Sequence, residues 1–125
     1  MLEEITVTVD DRPGSLADVG ELLGSNGVNI ETLCASTHNG QGVIHFVVDD
    51  GEDAAEILAS NGYKVEGSRP VLAVTIDDRP GELGRYCRHL ARAGVSISSA
   101  YVAKRSNGET ELVFAVDDLE AATRA

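Results

Sequence analysis

The sequence has little with which to bind nucleic acid. Only 10 of its 125 residues are lysine or arginine, against 21 aspartate and glutamate residues, and aromatic residues make up 4% of the chain. A net charge of −11 repels a phosphate backbone, and so few rings offer no stacking platform for unpaired bases. We therefore expect no nucleic-acid partner.

Cysteine and long apolar runs are also scarce. Cys34 and Cys87 form no Cys-x-x-Cys pair, and His38, His45 and His89 lack the spacing of metal ligands. No apolar run is long enough to cross a bilayer, and the acidic start MLEEITV is unlike a signal peptide. We expect a cytoplasmic protein with reduced thiols, no metal, no cofactor and no membrane contact.

The strongest positive feature is an internal repeat. Residues 7–14 (VTVDDRPG) return as residues 74–81 (VTIDDRPG), 67 positions later. After one inserted residue in the second copy, Asn39-Gly40 matches Asn107-Gly108. This predicts two units, residues 1–67 and 68–125, with Gly67-Ser68-Arg69-Pro70 as the linker.

Each repeat begins with a strand and a helix. Ile5, Val7 and Val9 alternate with polar residues, which is typical of a strand with one wetter face. The Asp-Arg-Pro-Gly segment then ends the strand, with proline expected in the first helical turn and Asp11 or Asp78 as the cap. Helical spacing predicts that the core-facing positions are Leu16, Val19, Leu22, Leu23, Leu83, Cys87 and Leu90.

A hairpin and a second helix follow. The hairpins are predicted at 28–36 with 43–49 and at 95–104 with 111–116, turning at the Asn-Gly pairs. A helix over 52–60 and a strand over 63–66 close the first repeat, whereas the second reaches only a helix over 119–125. Its last strand is missing, so its first strand has a vacant edge. Apolar residues on both sides of the third strands predict that both sheet faces are buried.

A strand running into Asp-x-Pro-Gly-x-Leu, then an amphipathic helix and Gly-Val-Asn-Ile, resembles the ACT domain family. The resemblance covers residues 3–66 as a complete unit and 71–125 as a truncated one. It implies an α+β fold of two tandem ferredoxin-like βαββαβ units, each an antiparallel sheet with helices on one face, the second lacking its last strand. It also implies a non-catalytic regulator that binds a free amino acid at the interface between units, as a homodimer serving a metabolic enzyme.

The residues expected to bind this amino acid surround the start of the first helix of each repeat. Free amides and the helix dipole favour a carboxylate there, while Asp11 and Asn29 offer acceptors to an ammonium group. Ser96 replaces the asparagine in the second repeat, so the first loop is expected to bind better, with the second repeat as the opposing wall. The candidates are Asp11, Pro13, Gly14, Ser15, Leu16 and Asn29, with Asp78, Gly81, Glu82, Leu83 and Ser96 at the matching positions.

Other interpretations stay open at this point. Asp-x-Pro-Gly is also simply a good way to end a strand and begin a helix. The vacant sheet edge is typical of an assembly module that binds no small ligand. Arg12 and Asn29 superficially resemble the residues of an acylphosphatase-like hydrolase, but a glycine-rich phosphate cradle and a nucleophile paired with a base are missing. We therefore expect no enzymatic activity.

Overall fold

In the computed structural model, which describes residues 1–125, the chain divides into two units, Met1–Arg69 (unit 1) and Pro70–Ala125 (unit 2). The elements of unit 1 are β1 (Glu3–Asp10), α1 (Ser15–Ser25), β2 (Ile30–His38), β3 (Gln41–Val48), α2 (Gly51–Ser60) and β4 (Lys64–Pro70). Those of unit 2 are β5 (Leu72–Asp77), α3 (Glu82–Arg92), β6 (Ile97–Ser106), β7 (Glu109–Val116) and α4 (Leu119–Arg124).

The two sheets confirm the predicted fold class. Unit 1 has the strand order β2-β3-β1-β4, and unit 2 has β5-β7-β6 without a fourth strand. The central strands pair antiparallel at equivalent registers, with Val7 opposite Ile44 and Val74 opposite Leu112. The chain is therefore an α+β protein with two tandem ferredoxin-like units, the second lacking its last strand.

Each hairpin turns on an Asn-Gly pair, as predicted. Asn39 and Gly40 have φ of 50° and 78°, and Asn107 and Gly108 have φ of 53° and 75°. Two consecutive positive φ values indicate type I′ turns, whose twist matches that of the flanking strands. The loops contain only these two residues, so the strands are longer at this end than the sequence indicated.

The core of each unit lies between its helices and one face of its sheet. In unit 1, Ile5 and Phe46 of the sheet pack with Leu23 of α1, and all three are fully buried. In unit 2 the corresponding cluster contains Leu90 of α3 and Phe114 of β7. Three residues of β3 and β7 outside these clusters are also fully buried, namely Val47, Val113 and Ala115. Their burial agrees with the prediction that both faces of the third strands are covered.

Two predicted core positions are wrong. Leu16 is 44% exposed and Leu83 is 52% exposed, whereas Ser15 is only 8% exposed. Each helix begins just after a glycine, so that Leu16 and Leu83 are the second helical residues and lie on the flank of the helix. The helical period was identified correctly. In the first turn of α1, however, the residue that faces the core is Ser15 and not Leu16, which follows it.

The predicted linker is also wrong. Gly67-Ser68-Arg69-Pro70 forms the second half of β4, and Val71 alone separates β4 from β5. Turn-forming residues are tolerated there because β4 is an edge strand and its proline is the last residue. The division between the units consequently falls after Arg69.

Candidate functional site

The loop between β1 and α1 is shaped by Gly14, which is the N-cap of α1. Its φ of 93° and ψ of −12° are left-handed, a conformation that glycine adopts without a steric penalty. Gly81 repeats it before α3 with φ of 91°. Neither Asp11 nor Asp78 caps its helix, so that prediction was wrong, and Pro13 precedes the cap instead of occupying the first turn.

The start of α1 is left without a capping side chain. The Ser15 amide donates to the Arg12 carbonyl at 3.3 Å, and the Ser15 hydroxyl donates to the Asp10 carbonyl at 2.7 Å. These two bonds tie the loop to the end of β1. The amides of Leu16 and Ala17 have no acceptor within the protein, and they carry the positive end of the helix dipole.

A cavity of ≈ 170 Å³ lies beside this loop and is called the crevice below. One wall comes from β1 and the start of α1, namely Val9, Asp10, Asp11, Arg12, Ser15 and Leu16. The other comes from the β2–β3 hairpin, namely Ala35, Ser36, Thr37, Gly42, Val43 and Ile44. A second cavity of ≈ 200 Å³ shares Val9, Asp10, Arg12 and Ser15 and extends to Gly62 and Tyr63.

Gly42 keeps the crevice open where the two walls meet. It lies opposite Val9 in the register of β1 and β3. A Cβ atom at Gly42 would lie 2.9 Å from Val9 Cγ2, which is closer than real contacts allow. Any larger residue would push Val9 aside or fill the space.

Some of the charged groups at the rim of the crevice have partners within the protein and others do not. The Arg12 guanidinium donates to Asp18 Oδ2 at 3.0 Å and to the Pro13 carbonyl at 3.2 Å. Asp10 and Asp11 form no ion pair. Two carboxylates are thus available to a cation close to amides that suit an anion.

The structure brings together only part of the predicted set in unit 1. Asp11, Ser15 and Leu16 line the crevice, and Pro13 and Gly14 shape the loop above it. Asn29 lies outside the crevice lining.

The side-chain amide of Asn29 approaches Glu31 Oε1 at 3.5 Å. The hairpin residues Ser36, Thr37 and Gly42 were missed because they follow the motif by more than twenty positions. These hairpin residues could have been found from the sequence because the two repeats carry different residues at the matching positions.

The matching positions of unit 2 carry larger and charged residues. Thr110 replaces Gly42, Lys104 replaces Ser36, and Arg105 replaces Thr37. Arg105 Nε lies 3.9 Å from Asp78 Oδ1. The carboxylate that matches Asp11 is therefore already paired in unit 2.

In unit 2, Glu82 is held in ion pairs and Thr110 is buried. Glu82, which matches Ser15, accepts from Arg79 at 3.2 Å and lies 3.7 Å from Arg85. Thr110 is 4% exposed, and its buried hydroxyl has no hydrogen-bond partner.

Gly81 and Leu83 flank Glu82 at the start of α3, and the Ser96 amide donates to Asp117 Oδ1 at 2.8 Å.

Unit 2 has a different cavity along α3, of ≈ 220 Å³, lined by Ile76, Glu82, Arg85, Tyr86 and His89. The Tyr86 ring stacks on Phe114 with 5.6 Å between centroids. Burial raises the pKa of Tyr86 above its ordinary value of 10.0, and the neighbouring Cys87 adds to the shift. Packing of the Tyr86 ring against the core accounts for both the stacking and the raised pKa.

The structure contains no group of three or more histidine, cysteine, aspartate or glutamate residues arranged to hold a metal ion. None of its helices has the length and apolar character required to span a bilayer.

Comparison with known proteins identifies the family. The ACT domain family model matches residues 4–66. A protein from Bacteroides thetaiotaomicron has a similar crystal structure, with a TM-score of 0.86, 21% identity, and coverage of 98% of this chain and 83% of that one. The regulatory subunits of aspartate kinase from Thermus thermophilus (ligand-free form) and Thermus flavus give TM-scores of 0.75 and 0.70, identities of 20% and 22%, and coverage of 98% and 88% in both cases.

No curated protein matches the sequence significantly. The family model spans the complete βαββαβ unit that contains the crevice, and the similar crystal structures extend the same fold over nearly the whole chain. The chain therefore belongs to the ACT domain family.

Proposed function

We propose that this protein is a non-catalytic regulatory module that binds a free amino acid in the crevice of unit 1. The observation that carries the proposal is the uncapped start of α1, where the amides of Leu16 and Ala17 are free and Leu16 lines a cavity with unpaired carboxylates. A free amino acid carries a carboxylate and an ammonium group on the same carbon atom, which suit the free amides and the unpaired carboxylates respectively.

The expected contacts follow from the chemistry of the walls. The carboxylate of the amino acid accepts from the amides of Leu16 and Ala17, where the helix dipole favours negative charge. Its ammonium group donates to Asp10 or Asp11. Its side chain lies towards Val9 and the apolar residues of the hairpin.

The size of the crevice supports a small ligand. Its volume of ≈ 170 Å³ is below the range of about 300–1,000 Å³ that is typical of pockets for drug-sized molecules. A single small amino acid suits this volume better than a nucleotide or a peptide. We propose that the loop of unit 2 binds the same ligand at least about tenfold more weakly, since its carboxylates are paired and Thr110 stands where Gly42 leaves space.

The absence of catalysis is supported by the engagement of the polar groups. The Ser15 hydroxyl already donates to a backbone carbonyl, and Arg12 is held by Asp18. Neither is placed as a nucleophile beside a base.

The regulatory role is supported by the likeness to regulatory subunits of aspartate kinase. We propose a cytoplasmic homodimer that docks on a metabolic enzyme, with a ligand that binds one arrangement better than another shifting that docking.

A thermal-shift screen of the common amino acids, followed by calorimetry, tests the proposal. One or a few amino acids are expected to raise the melting temperature of the whole chain. Asp11→Ala is expected to weaken their binding about tenfold, because a charged hydrogen bond contributes about 1.5–3 kcal/mol. Asp78→Ala, the same change at the matching position, should leave the affinity unchanged.

Two outcomes would contradict this assignment. A melting temperature unmoved by every amino acid at millimolar concentration would favour an assembly module without a small ligand. An affinity reduced by Asn29→Ala but not by Asp11→Ala would place the site outside the crevice.

A further inference from the structure

The two units differ sharply in charge. Residues 1–69 include 13 acidic and 3 basic residues, whereas residues 70–125 include 8 acidic and 7 basic residues, which together make the 21 and 10 of the whole chain. Unit 2 is therefore close to neutral, and three of its seven basic residues lie on the single helix α3.

The outward face of α3 carries three arginines, which we call the basic stripe: Arg85, Arg88 and Arg92. They recur at helical spacing on the side opposite the buried Leu90, and all three are exposed. Arg85 lies 3.7 Å from Glu82, while neither Arg88 nor Arg92 forms an ion pair. Two of the three arginines of the stripe therefore have no carboxylate of their own chain to pair with.

The outward faces of α1 and α2 have the opposite charge. Five exposed carboxylates form what we call the acidic layer: Asp18, Glu21, Glu52, Asp53 and Glu56. Among them only Asp18 forms an ion pair, with Arg12 at 3.0 Å. The buried residues of the same helices, such as Leu23 and Leu58, point to the core.

The repeat register places these surfaces at equivalent positions. Asp18 of α1 matches Arg85 of α3, and Glu21 matches Arg88, so duplicated helix positions carry inverted charge. A solvated helix needs no such inversion for stability, since exposed charges contribute little to it. Each chain presents one stripe and one layer of complementary sign.

We propose that the basic stripe of one copy docks on the acidic layer of a second copy. Arg85 and Arg92 are separated by about 10.5 Å along the helix axis, and packed neighbouring helices lie about 8–10 Å apart, so one stripe can face both α1 and α2. Local complementarity offsets the repulsion between two acidic chains. This contact is independent of ligand binding.

Such a contact is weak and sensitive to salt. Exposed ion pairs are individually worth little, and they are screened within a Debye length of about 10 Å at 0.1 M salt. Because each chain carries both surfaces, the contact can form twice in a reciprocal dimer or repeat from one copy to the next. Self-association should therefore be seen at low ionic strength and should fall about tenfold or more between about 50 and 300 mM salt.

A charge exchange tests the proposal in the full chain by sedimentation velocity. The stripe variant Arg88→Glu/Arg92→Glu reverses two of the three charges of the stripe, and the layer variant Glu21→Arg/Glu56→Arg reverses two of the five charges of the layer. Each variant alone should associate about tenfold or more weakly than the wild type. A mixture of the two should associate again, since the unchanged layer of the stripe variant then faces the unchanged stripe of the layer variant.

The matched control is Lys64→Glu/Arg124→Glu, which makes the same change in net charge at exposed residues outside the stripe. It should leave association at the wild-type level, and circular dichroism should confirm that every variant is folded. The proposal is overturned if the stripe variant associates like the wild type, or if the mixture associates no better than its parts. A wild type that stays monomeric at low salt while binding polyglutamate would assign the stripe to an acidic partner instead.

Discussion

Units 1 and 2 have the same loop and different surroundings. Gly14 and Gly81 open their helices with nearly the same left-handed geometry. The hairpin beside the loop is open at Gly42 in unit 1 and filled by Thr110 in unit 2. Duplication has thus kept a backbone feature and changed the side chains that decide what can lie next to it.

The helices show the same separation between structure and surface. The fully buried Leu23 and Leu90 occupy matching positions in α1 and α3, whereas Asp18 is matched by Arg85. The core positions retained in both copies maintain the fold, and the outward positions are free to differ.

The largest effect is expected from truncating the two core phenylalanines. Phe46 and Phe114 occupy matching positions and are fully buried. Phe46→Ala and Phe114→Ala should each lower the free energy of unfolding by about 3–5 kcal/mol. Calorimetry should show that each change lowers the transition of its own unit. Identical shifts of a single transition would mean that the two units unfold as one.

Making unit 1 resemble unit 2 should damage both stability and binding. In Gly42→Thr, the new Cβ would meet Val9 Cγ2 at 2.9 Å, which should cost about 1–3 kcal/mol and fill the crevice. Denaturant unfolding and calorimetric titration with the identified amino acid measure the two effects. Gly67→Thr is the control, because Gly67 lies in β4 with open space around it. Retained affinity in Gly42→Thr would refute the crevice as the site.

Replacing either of the glycines that precede α1 and α3 should lower the free energy of unfolding by a similar amount. Gly14→Ala and Gly81→Ala force a Cβ into the left-handed region, at a cost of about 1–2 kcal/mol each. Only Gly14→Ala should also weaken ligand binding. Gly20→Ala, inside α1, should stabilise by about 0.5–1 kcal/mol and thus shift the urea midpoint in the opposite direction. A Gly14→Ala variant as stable as the wild type would contradict the strained geometry.

Removing an unpaired hydroxyl should stabilise unit 2. Thr110 Oγ1 is buried without a partner, so Thr110→Val should raise the free energy of unfolding by about 1 kcal/mol. Thr6→Val provides the contrast, because the Thr6 hydroxyl is bonded to His45 Nδ1 at 2.9 Å and its loss should destabilise. Urea titrations of both variants measure the difference. A Thr110→Val variant that is less stable would indicate a partner for that hydroxyl.

The smallest effect is the response of unit 2 to alkaline pH. Since burial raises the pKa of Tyr86, the unfolded chain loses this proton first as pH rises. The stability that depends on the protonated hydroxyl is complete below about pH 10 and is lost as pH passes through the raised pKa of the folded state. Urea midpoints measured from about pH 9 to 11 should therefore fall less in Tyr86→Phe than in the wild type. Equal slopes would remove Tyr86 as the cause.

The duplication and the turns could be predicted because their signals are local. Two segments of eight residues in register identified the units, and Asn39-Gly40 and Asn107-Gly108 identified the turns. The start of α1 was harder, because the left-handed Gly14 replaces a side-chain cap and shifts the inward face from Leu16 to Ser15. Composition also misled at residues 67–70, since an edge strand accepts glycine and proline that a central strand excludes.

The candidate site could be predicted only on one side. The motif places Asp11 and Gly14 at the helix start, and that loop is found beside the crevice. The opposite wall depends on how β3 pairs with β1, which brings Gly42 next to Val9. Such a pairing is a long-range property that periodicity does not contain.

The left-handed geometry of Gly14 has a consequence for how the sequence can vary. Groups of the main chain are the same whatever side chains the loop carries, so a recognition element built from them tolerates substitution everywhere except at the glycine. Under the proposed function, selectivity rests on the hairpin, where the exchange of glycine for threonine seen between Gly42 and Thr110 changes the space beside the loop. If the unit binds a ligand as proposed, a duplicated copy keeps the anchor for the charged group and needs few substitutions in its hairpin to prefer another molecule.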